Sequence, residues 1–289
     1  MTPENMMSEN VTPGTMAPEA LMVGWLERQL PAPAVEWLLA QRDRLRAGAS
    51  ERDFHLAVSL APRRLGRADL LLRLEDFAAA DLARPGWDPH GWSVDQAGRI
   101  VLLLAGGGVG PAFATRLHEL LATADLAETI AFYRGLPLYP DPALHLARAW
   151  EGARTSMRPV FESVAHANPY PAEVFDEAAW NQLVLKALFI ETTLAPIQGL
   201  DRRGNATLMR MLCDYAHERW AAGRKVSPEL WRCVGPWADE AALDDLAHVL
   251  RTGDPAEQAA ARAALDGSNR ELARHQPSAA SEPEIDRVH

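Results

Sequence analysis

Segments with the composition and spacing of helices fill the chain from residue 17 to residue 266, separated by short polar or proline-containing breaks. Ala, Leu, Arg and Glu, which are strong helix formers, dominate these segments. Alternating runs of Val, Ile and Thr are missing and aromatic residues make up only 7% of the chain, so strands have little support. The sequence therefore predicts an all-α protein, with helices at residues 17–30, 34–47, 50–59, 67–82, 91–105, 111–123, 125–134, 142–154, 157–166, 171–175, 177–193, 205–222, 227–233, 236–251 and 254–266.

The ends of these predicted helices carry residues that commonly start and stop helices. Asp125 is placed to cap the helix that begins at the next residue, and Gly223 follows a helix end. Many short helices with short connections favour stacked helical pairs in an irregular α-solenoid-like arrangement, and the alternative is a compact multi-helix bundle. The sequence has no repeat of fixed period, so no named repeat class is supported.

The two ends of the chain differ from its middle in composition. Residues 1–16 are rich in Pro, Glu, Asn, Ser and Thr, and residues 268–289 mix Ser, Pro, Glu and Arg. Both segments are predicted to be disordered, as a lead and a tail. Residues 17–267 are predicted to form a single helical domain, in which residues 166–237 are the most distinctive region.

The overall composition is ordinary for a globular protein, and the net charge indicates which kinds of binding partner are unsuitable. Of the 289 residues, 48% are hydrophobic and 24% are charged, and the net charge is -10. This charge argues against general nucleic-acid binding and against an anionic membrane surface, since both need clustered Lys and Arg. No stretch approaches the roughly 20 apolar residues of a membrane span, so no direct membrane insertion is expected.

The two cysteines and the N-terminal residues indicate the cellular compartment in which the protein is expected. Cys213 and Cys233 lack C-x-x-C spacing and lie in predicted helices, which fits a reducing compartment without disulfides. The N-terminus has neither the basic start nor the continuous apolar stretch of a signal peptide. We therefore expect a soluble, cytoplasmic protein, and the sequence predicts no cofactor and no bound metal.

A glycine-rich segment at residues 99–110 combines an apolar run with three consecutive glycines. This order suggests a strand followed by a phosphate-binding loop. The dinucleotide fingerprint needs glycines spaced as G-x-G-x-x-G, and in the two frames available its last position is Pro111 or Phe113. The segment is therefore predicted to be the end of a buried helix, a glycine stop and a new helix.

The character of the sequence changes in the region 166–237. The predicted helix at 177–193 is apolar almost all round, which is typical of a buried helix. It nevertheless carries Asn181 and Lys186, and the chain has only one other lysine, Lys225. A buried amine needs a partner or loses its proton. Lys186 is therefore either a ligand-contacting ammonium or a lysine whose stem packs while its head reaches water or a carboxylate.

A polar loop at residues 198–205 precedes the next predicted helix. Asn205 is placed to cap that helix. In the alternative interpretation, Asp201, Arg202 and Arg203 bind an anion near the helix start, where backbone N–H groups are free. The sequence leaves both interpretations open.

The predicted helix at 205–222 has an apolar and a polar face. The apolar face consists of Leu208, Met211, Leu212 and Tyr215. The polar face consists of Arg210, Asp214, His217 and Glu218. Two carboxylates and a histidine on adjacent turns can hold a metal, a proton or a polyol, with His166 as the candidate third metal ligand. The alternatives are a solvated face with an Arg210–Asp214 pair, or a buried structural network. The tryptophans that follow are predicted to lie in the core, or to form the wall of a pocket: Trp220, Trp231 and Trp237.

Several motifs after Met157 form one signature. They are Phe175 with Trp180–Phe189 (WNQLVLKALF), Ile197–Asn205 (I-x-G-L-D-R-R-x-N), Asp214–Arg224 (DYAHERWAAGR), Pro228–Trp231 (PELW) and Gly235–Pro236. Together they resemble the signature of the EboA-domain family. The resemblance is concentrated in this limited part of the chain.

The resemblance to the EboA-domain family implies a biological setting rather than a reaction. Proteins of this family occur in bacterial and algal gene clusters linked to making or exporting a secondary metabolite. The neighbouring proteins include a membrane prenyltransferase-like protein, TatD-like metal hydrolases, a sugar-isomerase-like TIM barrel and a dehydroquinate-synthase-like protein. For the EboA-like member itself, the resemblance implies no catalytic residues.

Three functional hypotheses follow. The first is a helical binding or scaffold protein with one polar pocket for a small polar or anionic metabolite, such as a cyclitol or sugar phosphate. The second is an enzyme acting on such a metabolite, with His217 or Lys186 as base and Asp214 or Glu218 as acid partner. The third is an adaptor for the membrane prenyltransferase-like partner. The predicted ligand-binding residues are Asn181, Lys186, Asp201, Arg202, Asn205, Asp214, Tyr215, His217, Glu218 and Arg219.

Overall fold

The computed structural model describes residues 16–275, with side chains up to residue 266. Every regular element in this range is a helix, and extended backbone pairs only in two isolated bridges, Asp69 with Ser93 and His166 with Ile197. The prediction of an all-α protein is confirmed. Within the described residues, no helix combines the length and the apolar character needed to cross a membrane.

The helices follow the predicted order, although a short helix, Leu200–Arg203, forms within the segment that was expected to be a polar loop. They are α1 Pro18–Gln29, α2 Ala32–Arg46, α3 Glu51–Leu65, α4 Leu74–Ala83, α5 Val94–Gly106, α6 Gly110–Thr123, α7 Leu126–Arg134, α8 Leu146–Arg154, α9 Arg158–Ala165, α10 Tyr170–Val174, α11 Glu177–Phe189, α12 Leu200–Arg203, α13 Ala206–Ala221, α14 Leu230–Val234, α15 Glu240–Thr252 and α16 Pro255–His275. Short 3₁₀ turns occupy Leu136–Leu138, Pro142–His145 and Gly235–Trp237.

Side-chain caps start several of these helices, as expected from the sequence. The Asp125 carboxylate accepts the Glu128 N–H at 2.8 Å at the start of α7. The side-chain oxygen Oδ1 of Asn205 accepts the Leu208 N–H at 2.8 Å at the start of α13. Each cap satisfies a backbone donor that the helix itself leaves free, which fixes where the helix begins.

Several predicted helix boundaries are wrong, and two of them are explained by backbone groups that bond outside the helix. Residues 67–73 are not helical, since the Leu70 N–H donates to the Trp92 carbonyl at 2.8 Å. Helix α11 ends at Phe189 rather than at 193. Glu191 adopts a left-handed conformation (φ 55°), and the Thr192 N–H donates back to the Ala187 carbonyl at 3.0 Å, which closes the helix.

The glycine-rich segment is the junction of two helices. Helix α5 continues to Gly106 and α6 begins at Gly110, so the apolar run is helical and no strand precedes a phosphate loop. Gly108 and Gly110 both have positive φ, which allows the sharp turn between the helices. The prediction of a helix end, a glycine stop and a new helix is confirmed.

The described helices divide into two compact units. The first contains the chain up to Lys186 together with Ala195–Gly199, and the second contains Ala187–Leu194 and the chain from Leu200. The single domain expected at 17–267 stays a prediction. Residues 1–15 and 276–289 of the expected lead and tail lie outside the described residues, and helix α16 extends to His275.

Helix α5 is the centre of the first unit. It packs against α1, α2, α3 and α7, and its residues 100–103 are fully buried. In stacked pairs a helix contacts mainly the helices next to it in sequence. Helix α5 instead contacts helices that are two to four elements away in the helix order. The packing is therefore consistent with a helical bundle, the alternative arrangement. The buried Arg99 of α5 is neutralised by Asp95 at 2.7 Å and Glu128 at 3.6 Å.

In the second unit, α13 and α14 pack together, as do α15 and α16. Trp231 is fully buried and stacks on Trp220 with ring centroids 5.9 Å apart. Gly235 lies so close to Ala264 that a Cβ would approach its carbonyl oxygen to 2.5 Å. The expectation that Trp237 belongs to the core is wrong: its side chain is 46% exposed, because it lies on the surface 3₁₀ turn that follows Val234.

Candidate functional site

A cavity of about 390 Å³ lies in the first unit, between side chains of α8 and α11 and the segment just before α11. We call it the Trp150 cavity. Besides three alanines, its lining consists of Trp150, Arg154, Phe175, Gln182, Leu183 and Lys186. Ligand pockets for small molecules have volumes of roughly 300–1,000 Å³, so this cavity is large enough for a small metabolite.

Helical spacing explains how the lining residues of the Trp150 cavity come together. On α11, Gln182 and Lys186 are four residues apart and therefore lie on one face of the helix. On α8, Trp150 and Arg154 have the same spacing. Trp180 of α11 is fully buried on a different face of that helix. The helix that looked apolar all round thus has one face that borders a cavity.

The charges of the Trp150 cavity have one sign. Arg154 and Lys186 line it, and none of its lining residues is acidic. Neither cation forms an ion pair or a side-chain hydrogen bond with any described residue. Because guanidinium and ammonium groups beside apolar walls gain most from an anionic partner, the cavity is suited to a negatively charged group. Trp150 and Phe175 supply aromatic surface next to those cations.

A second cavity, of about 440 Å³, lies entirely in the second unit. We call it the Tyr215 cavity, after one of the predicted ligand-binding residues on its wall. Its polar lining side chains include Glu191, Arg219, Lys225 and Glu229. Of the predicted ligand-binding residues, Tyr215 and Arg219 are brought together here.

The charges of the Tyr215 cavity are already paired within the protein. Arg219 lies 3.5 Å from Glu191 and donates to the Lys225 carbonyl at 2.9 Å. Glu229 accepts from the Thr193 hydroxyl at 2.7 Å and from the backbone N–H of the following residue at 2.8 Å. Such mutual satisfaction is characteristic of a structural network.

The predicted polar face of α13 is exposed. Asp214, His217 and Glu218 are all exposed and are not part of the lining of either cavity. His217 Nε2 lies 2.7 Å from an oxygen of Asp245 on α15, so its partner is a carboxylate that the sequence did not suggest. The expected Arg210–Asp214 pair is not formed, because Arg210 extends toward another acid, Asp239, at 3.9 Å.

The segment before α13, which contains the short helix α12, is held by surface interactions. Arg232 donates two hydrogen bonds to the Asp201 carboxylate, at 2.8 and 2.6 Å. These bonds hold the pKa of Asp201 below its usual value. Arg202 is exposed, and the side-chain oxygen of Asn205 is committed to its cap. The capping interpretation of this segment is therefore confirmed for Asn205.

The remaining predicted residues are distributed between the two units. Asn181, on α11, is almost completely buried and does not line the Trp150 cavity. Lys186 does line it. The single pocket with all ten predicted residues stays a prediction, and the residues that line the cavities are Lys186 in the first unit and Tyr215 and Arg219 in the second.

Sequence reasoning missed two residues of the Trp150 cavity, Trp150 and Arg154. Both precede the motifs on which the family resemblance depends. The available signal was a tryptophan and an arginine four residues apart on a predicted helix. The acidic residue at helical spacing from Arg154 is Glu151, which pairs with Arg148 instead.

Potential metal ligands converge at one place within the described side chains. Ligand atoms of Glu51, His55 and Glu119 lie within 4.8 Å of one another on the surface of the first unit. Both oxygens of Glu51, however, accept hydrogen bonds from Arg116. That guanidinium occupies the carboxylate and repels a cation, so these residues are better explained as a surface ion pair beside a histidine.

The two cysteine thiols are expected to be unreactive near neutral pH. Burial raises the pKa of Cys213 and of Cys233 to about 12. Because the thiolate is the reactive form, neither group is a nucleophile near neutral pH. The structure pairs neither of them in a disulfide.

The sequence profile of one family, described as "Metabolite traffic protein EboA", matches residues 19–235. The chain therefore belongs to the EboA family, and the resemblance is confirmed. The match begins in α1, so the family region includes helices well before Met157. No curated protein and no solved structure matches the chain.

Proposed function

We propose that this chain binds a small amphipathic organic anion in the Trp150 cavity, as its part in metabolite traffic. The family description supports handling of a metabolite. The observation that carries the choice of site is the pair of cations, Arg154 and Lys186, in a lining without acidic residues. The ligand's acidic group would interact with these cations.

The apolar part of the ligand is inferred from the rest of the lining. Trp150 is 36% exposed although it is a large apolar side chain, and it borders the cavity together with Phe175 and Leu183. Covering this surface would contribute about 25 cal/mol for each Å² removed from water. Such a site favours a ligand with an aromatic or aliphatic body over a fully hydroxylated metabolite.

Binding of anilinonaphthalene sulfonate, a fluorescent amphipathic anion, tests this proposal. The purified full-length protein is titrated with the probe, and the dissociation constant is measured by fluorescence. Lys186→Met keeps the packing of the lysine stem but removes its charge. Since a hydrogen bond to a charged group contributes about 1.5–3 kcal/mol, we expect binding to weaken at least tenfold. Arg154→Met should have an effect of similar size.

The chain contains its own matched control for this experiment, because its only other lysine is Lys225. Lys225 is exposed and pairs with Asp254 at 3.1 Å. Lys225→Met should change probe binding less than twofold. Equal binding by all three variants and the unmodified protein, with unchanged thermal unfolding, would contradict the proposal.

The adaptor hypothesis is favoured by a different observation. Leu74 and Leu82 of α4 are 90% and 70% exposed, and Leu71, just before the helix, is 70% exposed. Such a row of exposed apolar side chains is unusual away from an interface. Co-purification with the membrane prenyltransferase-like partner that the family resemblance implies, lost in Leu74→Asp, would support this second function. Retention of the partner by that variant would exclude this surface.

A further inference from the structure

A third cavity, of about 370 Å³, lies within the first unit and is lined by residues of a different chemical character. We call it the Arg134 cavity. Its side chains include Asp88, His90, Trp92, Arg134, Glu162 and His166. It therefore combines hydrogen-bond donors, acceptors and titratable groups with an indole wall.

The Arg134 guanidinium is the unusual group in this cavity. One of its nitrogens, Nη1, donates to the Gly91 carbonyl at 2.6 Å and to the Gln96 side-chain oxygen at 2.8 Å. The other nitrogens make no hydrogen bond to any described residue, and Arg134 forms no ion pair with them. Burial lowers the pKa of Arg134, because desolvation disfavours the charged guanidinium.

The two carboxylates of the cavity do not neutralise Arg134. Glu162 is paired with Arg158 at 2.7 Å, four residues earlier on α9. One oxygen of Asp88 accepts the His90 backbone N–H at 2.9 Å, which leaves its second oxygen as an acceptor. A charged donor and a carboxylate acceptor thus border one cavity without forming an ion pair.

The far wall of the cavity is held by backbone interactions. The His166 backbone pairs with Ile197 in an isolated bridge, and the Ala167 N–H donates to the Pro196 carbonyl at 2.9 Å. Ala167 has a left-handed conformation (φ 49°), which costs free energy for a residue with a Cβ. These contacts fix the position from which His166 borders the cavity.

We infer that the Arg134 cavity is a second binding site, for a small hydroxylated carboxylate. The Arg134 guanidinium binds the carboxylate, because its planar fork matches two carboxylate oxygens. Asp88 accepts hydrogen bonds from the ligand's hydroxyl groups, and His90 can donate to or accept from them. Trp92 covers a C–H face of the ligand. The ligand class differs from that of the Trp150 cavity, so the two proposals stand independently.

Isothermal titration of the full-length protein with gluconate tests this inference. Gluconate carries one carboxylate and several hydroxyls, glucose lacks the carboxylate, and acetate lacks the hydroxyls. We expect millimolar or tighter binding of gluconate, and binding of glucose and acetate at least tenfold weaker. Equal affinity for glucose would overturn the role of Arg134, and equal affinity for acetate or inorganic phosphate would overturn the role of the hydroxyl groups. No heat of binding with gluconate at millimolar concentration would overturn the site itself.

Two variants separate the roles of the residues. Arg134→Gln should weaken gluconate at least tenfold, since it removes the charge that the carboxylate requires. Asp88→Asn keeps an oxygen for the His90 N–H, and should reduce the preference for gluconate over acetate. This second variant tests the site even where the loss of Arg134 hydrogen bonds unfolds the protein. Unchanged gluconate binding in a folded Arg134→Gln variant would contradict the inference.

The controls use a surface arginine and a competing probe. Arg64 is exposed on α3 and makes no ion pair with a described residue, so Arg64→Gln should leave the gluconate dissociation constant unchanged. Gluconate should not displace anilinonaphthalene sulfonate from the protein. Displacement would show that both probes use one cavity and would overturn the assignment of a second site.

Discussion

The Trp150 cavity and the Tyr215 cavity have similar volumes, about 390 and 440 Å³, and each has two basic residues on its wall. They differ in how those charges are satisfied. In the Tyr215 cavity, Arg219 has Glu191 beside it and Lys225 has Asp254. In the Trp150 cavity, Arg154 and Lys186 have no acidic partner among the described residues.

This difference separates a high density of polar residues from a set of charges that lack partners within the protein. The region around α13 is rich in charged residues, yet Arg219 pairs with Glu191 and His217 with Asp245. A pair of like charges without a counter-ion beside an apolar wall is the more informative feature, because an anionic ligand can supply the missing partner. Substitutions that add an acidic partner to the Trp150 cavity, or remove one from the Tyr215 cavity, test this comparison between the two cavities.

The largest effect is expected from giving the Trp150 cavity its own counter-ion. Gln182→Glu places a carboxylate four residues before Lys186 on α11, the favourable order for an ion pair on a helix. Binding of anilinonaphthalene sulfonate should weaken about 30-fold, or about 2 kcal/mol, because the anion must compete with an internal carboxylate. Fluorescence titration measures the change. Unaltered binding would show that the cations do not hold the probe.

A smaller effect, on stability rather than binding, is expected in the Tyr215 cavity. Glu229→Gln leaves one of two donors, the Thr193 hydroxyl or the buried Leu194 N–H, without a good acceptor. The free energy of unfolding should fall by about 1.5 kcal/mol, the cost of a buried unsatisfied polar group. Urea unfolding followed by circular dichroism measures it. A loss of probe binding without loss of stability would instead make this cavity the binding site.

His217→Ala should have a still smaller effect. It removes the hydrogen bond to Asp245, in which the histidine is half-exposed. Exposed pairs of this kind contribute about 0.5 kcal/mol, and probe binding should be unchanged. The same urea titration measures the change. Loss of small-molecule binding in this variant would revive the hypothesis that the α13 face is a functional site.

The smallest effect is expected for Asp201→Asn, and it depends on pH. Arg232 holds the pKa of Asp201 below its usual value in the folded protein, so the pair stabilises the fold above the unfolded pKa of about 3.9 and is lost as the pH falls through the folded pKa. Since both side chains are at least half exposed, the difference at neutral pH should be a few tenths of a kcal/mol. Unfolding of both proteins at pH 7 and pH 3 measures it, and a difference that grows toward pH 3 would contradict this assignment.

Most of the fold could be predicted from local signals. Asp125 and Asn205 are capping residues next to good helix formers, so the starts of α7 and α13 are encoded within a few residues. The errors arise where the deciding contact is distant or carries no residue-type signal. The bond from Leu70 to Trp92 joins residues that lie before and after helix α4, and the left-handed residue that closes α11 is Glu191, where glycine or asparagine is usual.

The candidate site could be predicted only in part, for the same physical reason. Lys186 stood out because lysine is rare in this chain and because its helix is apolar. Its neighbours Trp150 and Arg154 come from α8, whose approach to α11 is a tertiary contact that no periodic pattern specifies. The partner of His217 is Asp245, on another helix, so the α13 sequence alone suggested the wrong pairing.

Because the two native thiols are protonated near neutral pH, a dye can be attached selectively at an introduced cysteine. Cys213 and Cys233 are buried and have pKa values of about 12, so a maleimide dye at neutral pH should leave both unmodified in the folded protein. A single cysteine introduced at the exposed Gln182 would then be the one reactive position. A fluorophore attached there would border the Trp150 cavity, so a change in its emission on addition of a small molecule would provide a screen for ligands.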